Sequence, residues 1–107
     1  MSPEISIKKV VHIIFQAREG RRAAELRAFI DALNADEQAH LTAIAWVGRG
    51  AFEPEDYADA LATAYAEATT PTADYLQGMP HLSENLESGL EALGIDVTDA
   101  EEDFFER

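Results

Sequence analysis

The chain has no cysteine among its 107 residues. This absence excludes a disulfide framework, a thiolate nucleophile and a cysteine metal site, and it is typical of proteins from a reducing compartment. The opening residues, Met-Ser-Pro-Glu, lack the basic region of a signal peptide, and the apolar run VVHIIF is too short and too polar to span a membrane. We therefore expect a cytoplasmic protein that makes no membrane contact.

Basic residues are also few. Lysine and arginine together number 8 against 21 acids, which gives a net charge of −13. Residues 1–33 hold six bases and four acids (+2), whereas residues 34–107 hold two bases and seventeen acids (−15). Such an acidic balance repels nucleic-acid backbones, so we expect no nucleic-acid partner. The acids form either a solvated surface or a docking face, for a basic protein partner or for the basic first third of a second copy.

The usual catalytic motifs are missing as well. The sequence has no glycine-rich phosphate loop, no Gly-x-Ser-x-Gly elbow and no His-Glu-x-x-His zinc motif. Glu37 and His40 form one Glu-x-x-His pair, the spacing used in di-iron bundles, but such sites need a second pair and further inward carboxylates. Neither His12 nor His81 supplies that second pair. Glu37 and His40 are therefore weak metal candidates, and we expect no catalytic residue and no cofactor.

The stretch from Asn34 to Phe52 predicts a central helix. Asn34 is a favoured N-cap, and Glu37, three residues later, completes a capping box. The residues that follow are apolar on nearly every face, which is typical of a helix that is buried on all sides. Gly50 predicts a left-handed C-cap, and Gly48, on the core stripe, would let another helix approach closely.

Two apolar helical stripes precede this central helix. The first runs from Ile5 to Glu19, with Ile5 and Ile13 lying outside its main face. This surplus is either core or an oligomer interface, and we expect a homodimer that forms through the first helix. Gly20 interrupts the pattern before the second stripe, which runs from about Arg22 to Leu33. A lone glycine costs only about 1 kcal/mol inside a helix, so one long helix is an alternative, but we expect two.

Helical spacing continues after residue 50. Pro54 marks a first helical turn, and an alanine-rich stripe follows over Tyr57, Leu61, Ala64, Tyr65 and Ala68. A short helix that begins at Thr70-Pro71 carries Tyr75 and ends at Gly78.

The last long helix is predicted to begin at Pro80 and to end at Gly94. One of its faces carries Leu82, Leu86, Gly89, Leu90 and Leu93. Beyond it, Thr98 and Glu101 form a capping box that predicts a further turn in an otherwise acidic tail.

Arg49 is the only base between Asn34 and Glu106. We expect its guanidinium to bridge acids at the start of the next helix, namely Glu53, Glu55, Asp56 and Asp59. The alternative is an arginine that clamps an anionic ligand. The residues for which we expect a structural or interaction role are Trp46, Gly48, Arg49, Gly50, Tyr75 and Gly89.

The segments DEQAHLTAIAWVGRGAF and PTADYLQGMPHLSENLESGLEALG resemble a family of short bacterial proteins known as domain of unknown function 3775. The resemblance covers about Leu33 to Ile95, with WVGRG and TADYLQGMP as its more specific elements. It implies an all-helical fold. It implies no catalytic residue, cofactor or partner.

The sequence therefore predicts an all-α protein, a single small bundle of about five to six helices around a buried central helix at about residues 35–49. We expect one domain, with an N-terminal helical segment (1–33), a family-like core (34–95) and an acidic tail (96–107). The favoured function is that of a small acidic interaction or regulatory protein that associates with itself. The alternatives are a metal-binding or catalytic helical bundle and an acidic mimic of nucleic acid.

Trp46 provides the first test, because its helix lacks a polar face and its indole should belong to the core. We expect Trp46→Ala to lower the free energy of unfolding by about 3–5 kcal/mol, as truncations of large buried aromatics do. Denaturant melts measure this loss, and a value below about 1 kcal/mol would contradict a central position for this helix.

Overall fold

The computed structural model describes residues 4–20, 23–68 and 70–95. Its helices are α1 (Ile7–Glu19), α2 (Ala23–Asp31), α3 (Ala35–Arg49), α4 (Tyr57–Ala66), α5 (Thr72–Gln77) and α6 (Leu82–Ala92), with a 3-10 turn at Pro54–Asp56 before α4. The described residues form no strand. The protein is thus an all-α bundle, in which α3 packs on α6 and α4, α1 packs on α6 and α2, and α2 packs on α5.

The first two helical stripes are separate helices, as predicted. The Ser6 side chain caps α1 by accepting the backbone N–H of Lys9 at 3.2 Å. Gly20 ends α1 in the left-handed conformation with φ 71°, which glycine adopts without the steric cost that other residues incur. The regular helix of α1 therefore ends at Gly20.

The premise that the first helix has surplus apolar surface is wrong. Ile5 is 3% exposed and Ile13 is fully buried within the protomer. For Ile13 the physical reason is that α1 packs against two elements, α2 and α6, so a second apolar face is needed inside the same chain. Ile5 lies just before α1 and belongs to the same buried core cluster. The large apolar side chain that α1 leaves exposed is Ile7, at 36%.

The central helix is confirmed from end to end. Asn34 accepts the Glu37 N–H at 2.8 Å, while the Glu37 carboxylate accepts the Asn34 N–H at 3.0 Å, so the capping box is complete. Nine consecutive residues of α3, from Ala39 to Val47, are buried. Gly50 closes the helix with φ 85°, and the Ala51 N–H donates to the Trp46 carbonyl at 2.9 Å.

The closest approach in the fold is between the backbones of α3 and α6. A β-carbon built on Gly48 would overlap the Asn85 carbonyl and lie 2.7 Å from the Gly89 nitrogen. One built on Gly89 would lie 2.9 Å from the Cγ2 atom of Ile44. Because both contacts include backbone atoms, which cannot rotate away, a side chain at either position would push the helices apart.

The second half of the chain follows its local signals closely. The predicted stop at Gly78 agrees with the end of α5 at Gln77, and α6 begins at Leu82, two residues after the predicted start. Gly94, with φ 76°, closes α6, and the Ile95 N–H folds back onto the Leu90 carbonyl at 2.9 Å.

Two residues of the predicted α4 stripe do not lie on a buried helix face. Ala68 is exposed and lies beyond the end of the helix at Ala66. Tyr65 was predicted to share the apolar face, but its side chain is 45% exposed. The reason is that α4 ends at Ala66, one residue later, so Tyr65 lies on the last turn at the margin of the bundle.

The predicted acidic tail and its capping box of Thr98 and Glu101 lie outside the described residues. Within the part of the chain that the structure describes, no helix has the length and apolarity that a membrane span requires.

The α3–α6 contact predicts a sharp difference between glycines. We expect Gly48→Ala to lower the free energy of unfolding by at least about 2 kcal/mol, because overpacking against backbone forces the helices to move. Gly78→Ala is the matched control: its φ is −80° and a β-carbon there would meet nothing closer than 3.4 Å. Denaturant melts of the two variants should separate them, and equal stabilities would contradict the close approach.

Candidate functional site

The two weak metal candidates serve other purposes. The Glu37 carboxylate belongs to the capping box and pairs with the Lys9 ammonium at 2.6 Å, a hydrogen bond that lowers the pKa of Glu37 below its ordinary value. His40 is 2% exposed and lies within 2.6 Å of the Tyr57 hydroxyl through Nδ1. Across the described residues, no three side chains of the metal-binding types come together.

His40 and Tyr57 form a buried polar pair inside the bundle. The His40 Nε2 atom has no hydrogen-bond partner and lies 3.6 Å from the Glu4 carboxylate. Tyr57 is 3% exposed, and burial raises the pKa of its hydroxyl well above the usual range, so the group stays protonated. The contact between the two side chains gives the buried Tyr57 hydroxyl and one ring nitrogen of His40 a hydrogen-bond partner, which offsets the cost of burying them.

The predicted bridge from Arg49 to the following acids is wrong for the described residues. Arg49 is exposed at the last position of α3, and no ion pair joins it to any described carboxylate, the four acids of residues 53–59 included. The end of α3 is instead satisfied by backbone, since the Gly50 N–H donates to the Val47 carbonyl at 3.0 Å. The guanidinium is thus not needed to close the helix.

Three basic residues of the first third, Lys9, Arg18 and Arg27, pair within the protomer. Lys9 bonds to Glu37 on α3, Arg18 bonds to Glu87 on α6, and Arg27 bonds to Asp74 on α5. The last contact lowers the pKa of Asp74 and raises that of Arg27. Each pair ties α1 or α2 to the acidic part of the same chain, so these bases are already used.

A groove opens between the N-terminal half of α3, the end of α4 and the start of α5. Its volume is about 350 Å³. Three aromatic side chains line it, and the smaller neighbours include alanines and threonines: Trp46, Tyr65, Tyr75, Ala35, Ala39, Ala64, Ala68, Thr42, Thr70 and Thr72. Cavities of this size, with apolar walls and a few polar groups, are typical of ligand and peptide sites.

Hydrogen bonds to α3 hold both tyrosines in place. The Trp46 indole N–H donates to the Tyr75 hydroxyl at 2.8 Å, and the two rings meet edge to face at an interplanar angle of 81°. The Tyr65 hydroxyl donates to the Asp36 carboxylate. The walls of the groove are therefore fixed before any ligand arrives, which reduces the entropic cost of binding.

The groove has a negative character. Glu67 is its one charged lining residue among those described, and no lysine or arginine lines it. Asp36 lies at its edge and is bonded to Tyr65, a contact that raises the pKa of Tyr65 to about 12. A cation fits this environment better than an anion does.

Sequence reasoning found the individual side chains of the groove but not the groove. Tyr75 was assigned an interaction role and Trp46 a place in the core, where it is 7% exposed. Tyr65 was assigned to the buried stripe. The missing information was tertiary, because the three rings come from three helices whose relative placement no local pattern encodes.

Together, the fold and this groove define a small all-α protein with an aromatic, acidic groove on its surface. A family model described as a protein of unknown function (DUF3775) matches residues 23–95, and the chain belongs to that family. The match begins ten residues before the predicted Leu33 and so includes α2, while α1 precedes it. No curated protein and no solved structure matches the chain.

The contact between Tyr65 and Asp36 predicts a measurable alkaline titration. Because the folded-state pKa of Tyr65 is raised from 10.0 to about 12, its contribution to stability is fully present below pH 10.0 and is lost as pH rises toward about 12. Tyr57 stays protonated over this range, so tyrosinate absorbance should show one further late-titrating tyrosine, Tyr65, whose pKa falls in Asp36→Ala. Asp59→Ala, which removes an exposed acid elsewhere in the first turn of α4, is the control. No change in Asp36→Ala would contradict the assigned contact.

Proposed function

We propose that this protein is a small acidic interaction or regulatory protein that binds a basic protein partner in the groove between α3, α4 and α5. One observation carries the proposal. Among the described residues, the exposed large hydrophobic side chains are Ile7, Tyr65 and Tyr75, and two of these three line the same groove. Aromatic side chains that are exposed, clustered and held rigid are typical of the centres of protein interfaces.

The charge of the partner follows from the surroundings of the groove. Residues 34–95 hold eleven acids and one base, Arg49, a balance of −10. Pairing with α1 and α2 neutralises Glu37, Asp74 and Glu87, and among the residues that the structure describes most of the other acids of this region have no cation as a partner. A field of this sign accelerates encounters with basic partners and suppresses encounters with acidic ones.

A leucine-containing, lysine-rich peptide is a suitable probe of this proposal, with the same peptide carrying glutamate for lysine as its control. Trp46 is the only tryptophan, so its fluorescence reports directly from the groove. We expect the lysine peptide to change this fluorescence saturably, and we expect higher salt to weaken the binding. The glutamate peptide should leave the signal unchanged.

Substitutions of the aromatic residues test whether the peptide binds in the groove. We expect Tyr75→Ala or Tyr65→Ala to weaken the lysine peptide about tenfold, as the loss of an aromatic anchor does. Ile7→Ala removes the exposed hydrophobic side chain of α1 and is the matched control, with unchanged affinity. Circular dichroism melts confirm that each variant is folded. Full affinity in both tyrosine variants, or equal binding of the glutamate peptide, would overturn the proposal.

Self-association through the first helix is a second proposal about partners. With Ile5 and Ile13 buried, it depends on Ile7, which is 36% exposed, and on the partly buried Phe15. Light scattering coupled to size exclusion tests it: a dimer that Ile7→Glu dissociates would support the first helix, and a monomer at high protein concentration would contradict it.

We further propose a cytoplasmic location, which the absence of cysteine supports.

A further inference from the structure

We propose that the groove is a receptor for a single lysine side chain of the partner, with the alkyl stem against the aromatic rings and the ammonium beside Glu67. This inference rests on the proposed function and names the group that anchors the basic partner. The shape of the groove, its charge and its available acceptors each support a lysine.

The aromatic rings are arranged to contact a cation. Trp46, Tyr65 and Tyr75 line one cavity, and the edge-to-face contact of Trp46 with Tyr75 places the two ring planes nearly at right angles. Two rings at this angle form a corner, which a cylindrical alkyl chain fills more completely than a flat group does. Tyr65 and Tyr75 are the exposed rings of the three, and a cation over the face of an exposed tyrosine ring is attracted by its electron-rich surface.

The acceptors of the groove suit an ammonium. Of the carboxylates near the cavity, Asp36 is bonded to Tyr65 and Asp74 is bonded to Arg27. Glu67 lines the cavity and is exposed, and neither a hydrogen bond nor an ion pair joins it to another described side chain. One carboxylate without a partner matches the compact charge of a lysine.

Two hydroxyl groups complete the set of hydrogen-bond acceptors in the groove. Thr70 and Thr72 line the same cavity, and no hydrogen bond to a described residue engages either side chain. A lysine ammonium has three donors, which Glu67 and these two hydroxyls can accept, with water completing any gap.

An arginine fits the groove less well. The guanidinium forms its strongest contacts with a carboxylate that accepts two parallel N–H bonds, and it prefers to lie flat on an aromatic face. The corner formed by Trp46 and Tyr75 presents an edge of one ring to the face of the other, so it offers no broad flat platform. Lysine and arginine peptides should therefore differ.

The test uses the lysine-rich peptide defined above, with every lysine changed in turn to norleucine or arginine and with Trp46 fluorescence as the signal. We expect one position at which norleucine weakens binding about tenfold, and at which arginine weakens it several-fold. Trimethyllysine at that position should retain only part of the affinity, because it keeps the positive charge that the rings attract but has no N–H group to donate to Glu67 and the two threonines. A mutation in the protein is then needed that removes the group with which this lysine interacts.

Glu67→Gln is the mutation that removes the carboxylate proposed to bind the lysine. We expect it to weaken the original peptide about fivefold and to have no effect on the peptide with norleucine at the anchor position, so the two changes are coupled. Glu91→Gln, an exposed acid on α6, is the control and should leave both affinities unchanged. These side chains are exposed, so both variants should fold.

The outcomes separate the two proposals. If the lysine-rich peptide binds but norleucine is tolerated at every position, or if Glu67→Gln acts equally on both peptides, the lysine receptor is wrong and the docking groove stands. If the peptide does not bind, both proposals fail. If sedimentation shows that a second copy fills the groove and excludes the peptide, the lysine receptor is overturned as well.

Discussion

The contact on which the rest of the structure depends is the approach of two backbones, α3 at Gly48 and α6 at Gly89. Neither position has room for a β-carbon, so the two helices meet without intervening side chains. This close packing buries the inner part of α3 from Ala39 to Val47 and makes it the rigid axis of the bundle. The other helices are arranged around it, and the aromatic groove lies at the margin, where α3 meets the end of α4 and the start of α5.

The distribution of charge has a related structural basis. Three bases of the first two helices bond to acids of α3, α5 and α6, so the basic third of the sequence ties α1 and α2 to the acidic remainder. Exposed ion pairs of this kind contribute little stability individually, but they fix orientation and remove positive charge from the surface. In residues 34–95, Arg49 is the one base against eleven acids, so the balance of charge there is acidic. The aromatic groove lies in that acidic region, with its tyrosines held by α3 through Trp46 and Asp36.

Local signals were sufficient to predict most of the fold. The capping box at Asn34, the left-handed glycine at position 50 and the interruption at Gly20 each depend on a few neighbouring residues, and the structure contains all three. Other properties depend on distant residues. The burial of Ile5 and Ile13 could be predicted only from the way distant parts of the chain pack together, as α2 and α6 do on α1. The groove could be predicted only from the placement of three helices at once. The prediction for Arg49 was wrong for a different reason. Backbone groups already satisfy the end of α3, so the guanidinium is not needed there.

The central claim is that the aromatic groove is the interaction surface, rather than the acids before α4 or the face of α1. Amide and indole chemical shifts of the isotopically labelled protein, followed during addition of the lysine-rich peptide, test it most directly. We predict that the largest changes lie at the Trp46 indole, around Tyr65 to Glu67 and around Thr72 to Tyr75, with little change elsewhere. Changes centred on residues 53–59, where four acids stand together, or on α1, would contradict the claim.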